Sequence, residues 1–338
     1  MGSMMRYQIG LALPRIGGLV LLLSLFTLIV PANGRAQEGG FPNKPIEIIC
    51  GYGPGSFMDV AARIVGEKVS KLLKVPVVIV DKSGAGGKIA LRAGAKAKPD
   101  GYTLLTANQA LLVTSRIMTP VDYPIDPEND LMPIYEYGAM PSYAITDVGA
   151  PWNTLQQFLE DAKKNPDKLQ VGTAGVGSSS HFILEILSHR MGAKIKHVPF
   201  KGGTDLVTQV MGGHISAVFT GNPPLLASVE AGKLKALAIF ADERDPKLPN
   251  VPTIGAVGYP EASLPVWGGF YGPAKMPKGV YDNLVSAFQT AINDPEVASS
   301  LRKIAILYKP KPPQEMSNNL RTQYAFLLQF AKKAGMVK

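Results

Sequence analysis

Between Val171 and Leu187 the chain reads VGTAGVGSSSHFILEIL. A short apolar run leads through Gly175 and Gly177 into Ser178, Ser179, Ser180 and His181, and an amphipathic segment follows. These residue types at this spacing suit four kinds of chemistry. Glycines can cradle a nucleotide phosphate, a serine can act as nucleophile beside a histidine base, histidine can bind a metal, or a small carboxylate can rest on the first turn of a helix.

Spacing weighs against three of these. A dinucleotide fingerprint needs G-x-G-x-x-G, but Ser180 follows Gly175 and Gly177, Met58 follows Gly53 and Gly55, and Ile89 follows Gly84 and Gly86. Ser178 stands after Gly177 where a P-loop has lysine, so ATP and NAD lack their motifs, although a phosphate group as such stays open. No serine is bracketed as G-x-S-x-G, and no acid is placed in the segment to orient His181 behind Ser178, which argues against a hydrolase. His181, His189, His197 and His214 form no H-x-x-x-H pair, so no metal is expected. A nucleic-acid partner is not expected either, because the basic stretch LRKIAILYKPKPP, Leu301 to Pro313, has no aromatic stacking platform.

The same unit recurs along the chain. Pro45 to Cys50 reads as a strand, then comes a Gly/Pro loop, then a helix with Ala61, Ile64, Val65, Val69 and Leu72 on one face. A second unit has its strand at Val75 to Val80 and its loop at Gly84 to Gly87; the third is the segment quoted first, with Ser178 as N-cap, Ile183, Ile186 and Leu187 as the apolar face and Met191-Gly192 as the end. The fourth is IKHVPFKGGTDLVTQVMGG. Alternating strands and helices predict an α/β architecture of parallel sheet covered on both faces. Each loop would offer a helix N-terminus with unpaired amides, a favourable place for an anion.

With 46% hydrophobic and 18% charged residues in 338, the chain is globular and long enough for two domains. Arg6 and Arg15 precede the apolar run Ile16 to Val30, and Gly34 and Ala36 supply small residues for cleavage. Fifteen residues span only ~22 Å as a helix, short of a bilayer core, so residues 1–36 read as an export signal cleaved near Ala36. Cleavage removes three arginines and no acid, leaving a net charge of +6 from +9. Cys50, the single cysteine, reads as a packed thiol, and no cysteine at the cleavage site marks a lipoprotein.

The segments FPNKPIEII, PGSFMDVAARI, GAGGKIALRAGAKAKPDGYTLL, GTAGVGSSSHFILEIL, VPFKGGTDLVTQVMGGHISAVF, AGKLKALAI, LPNVPTIGAVGYP and VWGGFYGPAKMP follow one another in this order. Together they resemble the Bug proteins, the periplasmic solute-binding proteins of tripartite tricarboxylate transporters, over residues 41–338. The resemblance implies a two-domain periplasmic-binding-protein fold (type II-like), α/β, with a ligand cleft between the domains. Residues 41–139 plus 265–338 would form domain 1 and residues 140–264 domain 2, with crossings in MPIYEYGAMPSYAI and LPVWGGFYGP. It also implies a periplasmic monomer without cofactor that hands a small organic carboxylate, a di- or tricarboxylate or an aromatic acid, to a membrane permease or shows it to a sensor.

Carried onto this chain, the family's carboxylate-holding loops place donors at Gly55, Ser56 and Phe57, with Asp59 beside them, and at Ala85, Gly86 and Gly87, with Asn108 nearby. From domain 2 they place Ala174, Gly175, Ser178 and His181, then Phe200, Lys201, Gly202 and Asp205. These loops contain no arginine, so amides rather than a bidentate clamp would bind the anion. The chain departs from the family pattern in the first loop, where Ser56 replaces a glycine and Phe57 adds an aromatic ring, and at Phe200 and Thr220, where tyrosine and aspartate are frequent. The two phenylalanines would suit an aromatic ligand or pack into the core.

Overall fold

The apolar strand β1 (Ile46–Cys50) exposes only Glu47 and runs through a Gly/Pro loop into α1 (Phe57–Leu73). In the computed structural model, residues 40–200, 203–307 and 309–337 are described; the expected signal segment lies outside them. Next come β2 (Val77–Asp81), α2 (Lys88–Ala95), β3 (Thr103–Asn108), a π-turn at Ala110–Thr114 continuing into α3 (Ser115–Met118), α4 (Pro127–Asp130) and β4 (Leu131–Met140). After Pro141 and Ser142 the chain enters a second sheet with β5 (Tyr143–Asp147), α5 (Leu155–Lys164), β6 (Gln170–Thr173), α6 (Ser179–Met191) and β7 (Lys196–Pro199). There follow α7 (Gly203–Met211), β8 (Ala217–Thr220), α8 (Pro223–Glu230) and β9 (Leu234–Ile239). Beyond α9 (Ile254–Val257), β10 (Val266–Pro273) returns to the first sheet, and α10 (Lys278–Ile292), α11 (Pro295–Lys303) and α12 (Pro313–Lys333) complete the fold.

The sheets have the orders β2-β1-β3-β10-β4 and β7-β6-β8-β5-β9. Both are mixed, which corrects the expected all-parallel arrangement: β10 runs antiparallel to β3 and β4, and β5 antiparallel to β8 and β9. A strand that follows a helix enters its sheet from the far end, whereas β5 and β10 arrive from the other sheet and enter at the end where the loops lie. The stretch MPIYEYGAMPSYAI passes between sheets at Pro141-Ser142, and LPVWGGFYGP enters the first sheet at Val266, after a return segment, residues 240–265, that carries α9.

Local signals are kept where they are strong. Ser56 caps α1 by accepting the Asp59 amide, and the inward stripe is Met58, Ala61, Ala62, Val65 and Val69. Leu72, expected on that stripe, is 39% exposed because it falls in the last turn. One apolar cluster extends across both sheets, joining Leu105, Leu111 and Trp267 to Phe158, Phe182 and Phe219. Cys50 is fully buried, and burial pushes its thiol up to about 11, which keeps it unreactive.

On β4, Glu136 is 1% exposed and exchanges two backbone hydrogen bonds with Lys311, whose ammonium lies 3.6 Å from its carboxylate. Burial pushes this carboxyl up to about 7 against the pull of Lys311. The unfolded chain ionises this group near 4.5, so stability drains as pH rises from there to 7. Glu136→Gln is therefore expected to raise the unfolding free energy in urea near pH 8 by up to about 3 kcal/mol, and to change nothing near pH 4. Equal effects at both pH values would show that packing, not charge, is what the substitution alters.

Candidate ligand-binding site

Loops at the carboxyl ends of parallel strands from both sheets meet around one cavity of about 290 Å³. The first sheet contributes Phe57 after β1, Ala110 after β3 and Val266 at the start of β10. Met140, Pro141 and Ser142 come from the passage between sheets. The second sheet contributes Ala174, Ser178, Ser179 and Ser180 after β6, Thr220, Gly221 and Asn222 after β8, and Leu206 of α7.

The α6 terminus is built in detail. The Ser178 hydroxyl accepts the His181 amide at 3.2 Å and donates to the Gly175 carbonyl at 2.7 Å. The Ala174 amide donates to the Ser180 hydroxyl at 3.1 Å, and the Ser179 hydroxyl donates to Gln109 Oε1, tying α6 to the turn after β3. Gly177 holds a φ of +78°, and a Cβ there would sit 2.9 Å from Met118 Cγ, so both backbone and space require glycine. The amides of Ser179 and Ser180 keep no protein acceptor among the described residues, as the first positions of a helix must.

The first loop behaves differently. The Gly55 amide donates to Asp59 Oδ2 at 2.9 Å, and Asp59 Oδ1 lies 2.7 Å from Arg63 Nε. Burial alone would raise this carboxyl, but the bonds from Arg63 and Gly55 outweigh it and hold its pKa below the ordinary value. Asp59 thus stays charged and shapes the loop. Phe57 reaches the cavity, while Gly55 and Ser56 do not line it.

Other expected residues lie elsewhere. Ala85, Gly86 and Gly87 follow the edge strand β2; Gly87 packs on Leu111 and Gly51, and Ala85 borders a separate open groove with Lys88, Arg92 and Lys96. Asn108 Oδ1 accepts the Leu111 amide and the Tyr52 hydroxyl, which shapes the π-turn. Phe200 packs against the apolar cluster of Tyr143, Ile145 and Val210. Asp205 is exposed, and its neighbour Leu206 is the α7 residue at the cavity. Lys201 and Gly202 lie outside the described residues. Gln109, Ser142 and Asn222 carried no recognisable signal, since none belongs to a glycine-rich loop, whereas Thr220 was marked only as a departure from the family pattern.

His181 stands behind the cavity. Its Nδ1 accepts the Gly177 amide at 3.1 Å, so that nitrogen takes no proton from Ser178, and a serine–histidine dyad is absent here. The sequence reading found no acid near His181; Glu185, one turn on, lies 3.6 Å from Nε2. The His181 ring stacks on His197 at 4.2 Å, and His197 Nε2 lies 2.6 Å from Thr173 Oγ1. Burial, aided by the neighbouring His181, lowers His197 to about 4 against the opposing charge of Glu185. Between 6.5 and 4 the unfolded chain binds a proton that the fold refuses, so stability falls as pH falls through this window. His197→Gln is expected to flatten that slope in urea unfolding; an unchanged slope would assign it to other groups.

The family model of the tripartite tricarboxylate transporter family receptor (TctC) matches residues 61–322. The chain belongs to this receptor family. BugT of Bordetella pertussis is 30% identical over 81% of this chain and 83% of its own length. The TctC solute-binding protein from Polaromonas superposes with a TM-score of 0.76 at 26% identity, covering 87% of this chain and 99% of its own. Malate-bound MatC of Rhodopseudomonas palustris gives 0.71 at 25% identity, over 86% and 99%. TctC receptors are periplasmic solute-binding proteins, and this chain has their two-sheet α/β fold.

Proposed function

We propose that this TctC receptor, exported and cleaved near Ala36, captures a small organic carboxylate and delivers it to the membrane permease of a tripartite transporter without transforming it. The observation that carries this reading is the convergence of two helix N-termini, α1 and α6, on one small cavity, with the Ser179 and Ser180 amides open. The relative MatC holds malate, a carboxylate, in the same kind of fold.

Residues 41–139 plus 265–338 and residues 140–264 would act as two bodies that close on the ligand, with the protein a monomer. Gly55, Ser56 and Phe57 would approach from one side and Ala174, Gly175 and Ser178 from the other, His181 bracing the second loop. Hydrogen bonds to a charged group contribute about 1.5–3 kcal/mol each. Toward the upper end of that range, four to six of them reach the roughly 8 kcal/mol of micromolar binding after an association cost of at least about 4 kcal/mol.

Thermal unfolding against a panel of acids and neutral controls tests the reading. A ligand at about 100 times its dissociation constant adds about 2.7 kcal/mol and shifts the midpoint. A cooperative transition that no acid moves would overturn it.

A further inference from the structure

A carboxylate on the α6 terminus would be one part of a ligand that fills a cavity of about 290 Å³. The cavity is also bordered by Met140, Leu206 and Val266, with Ser142, Thr220 and Asn222 as polar groups besides the serines of α6. Here α8 begins, but its first turn has no amide to offer. Pro223 and Pro224 carry no N–H, and the Leu225 amide donates to Asn222 Oδ1 at 3.0 Å. Among the described residues, no lysine, arginine or histidine lines the cavity. Among the described residues, a second carboxylate placed there would find no cation and no open helix terminus in exchange for its water.

Two buried hydroxyls point to what this portion takes instead. Ser142 and Thr220 are 4% and 7% exposed, border the cavity, and have no side-chain hydrogen-bond partner among the described residues. A hydroxyl both donates and accepts, which suits an uncharged oxygen. We infer that this receptor selects monocarboxylates: one carboxylate on the α6 terminus, an apolar body against Met140, Leu206 and Val266, and an uncharged oxygen at Ser142 and Thr220. The inference rests on the carboxylate reading above.

Titration calorimetry on the purified protein with hexanoate, 6-hydroxyhexanoate, adipate and 1-hexanol separates the two claims, because the four share a six-carbon chain. Hexanoate and 6-hydroxyhexanoate are expected to bind, adipate at least about tenfold more weakly, and hexanol not at all. Thr220→Val should weaken 6-hydroxyhexanoate several-fold more than it weakens hexanoate. Adipate binding as tightly as hexanoate would overturn the selectivity while leaving carboxylate capture intact; loss of that adipate binding in Lys201→Ala would locate the missing cation. Hexanol binding as tightly as hexanoate, or no binding by any acid, would overturn both claims.

Discussion

Ser178→Asp is expected to abolish carboxylate binding while leaving the fold intact. Aspartate caps helices as well as serine does, and its charge is favourable at an N-terminus, so the unliganded protein should lose little beyond the Ser178 bond to the Gly175 carbonyl, about 1 kcal/mol. The new carboxylate would stand in the cavity that Ser178 lines, beside the open amides of Ser179 and Ser180. Two like charges about 4 Å apart at an effective dielectric of about 20 repel by about 4 kcal/mol, close to a thousandfold in affinity. Calorimetry would register this as loss of heat with every acid that the unaltered protein binds. Undiminished affinity would move the carboxylate away from α6.

Gly221→Ala is expected to damage both stability and binding. A Cβ at this position would meet the Pro141 carbonyl oxygen at 2.1 Å and Tyr143 Cδ2 at 3.3 Å. The obstacle is backbone, which cannot rotate aside, so β8 and the passage between the sheets must separate. Overpacking of this kind costs about 3 kcal/mol. Since Pro141 and Gly221 both line the cavity, its floor would deform as well. Gly279→Ala serves as control, for nothing lies within 4 Å of its Cβ and it sits in the first turn of α10. Urea unfolding that ranks the two variants equally would remove the steric argument.

What could be read from the sequence was local. Ser178 caps α6, and Gly192 ends it in a left-handed conformation, because caps and stops depend on neighbours a few residues away. The first and third loops reach the cavity through Phe57, Ala174 and Ser178 for the same reason. The second loop does not line the cavity, because its position depends on strand order: β2 is an edge strand, and pairing between distant segments decides that. Ser142 escaped notice, and Thr220 was noted without a place in the site, because only the pairing of Tyr143 with Thr220 brings them together, across more than seventy residues of chain. Asp59 looked like a ligand contact from its place in the loop, yet Arg63 and Gly55 occupy its carboxylate.

Met140 and Val266 are register partners in the β4–β10 ladder, and both line the cavity. The two chain passages therefore leave the first sheet side by side, at the cavity floor. If the sheets rotate toward one another, the pivot lies inside the binding site, and the ligand sits at the short end of the lever. Groups against Met140, Pro141 and Val266 hardly move, while the outer rim travels farthest. Such a receptor judges the body of its cargo while still open, and closing chiefly seals a choice already made.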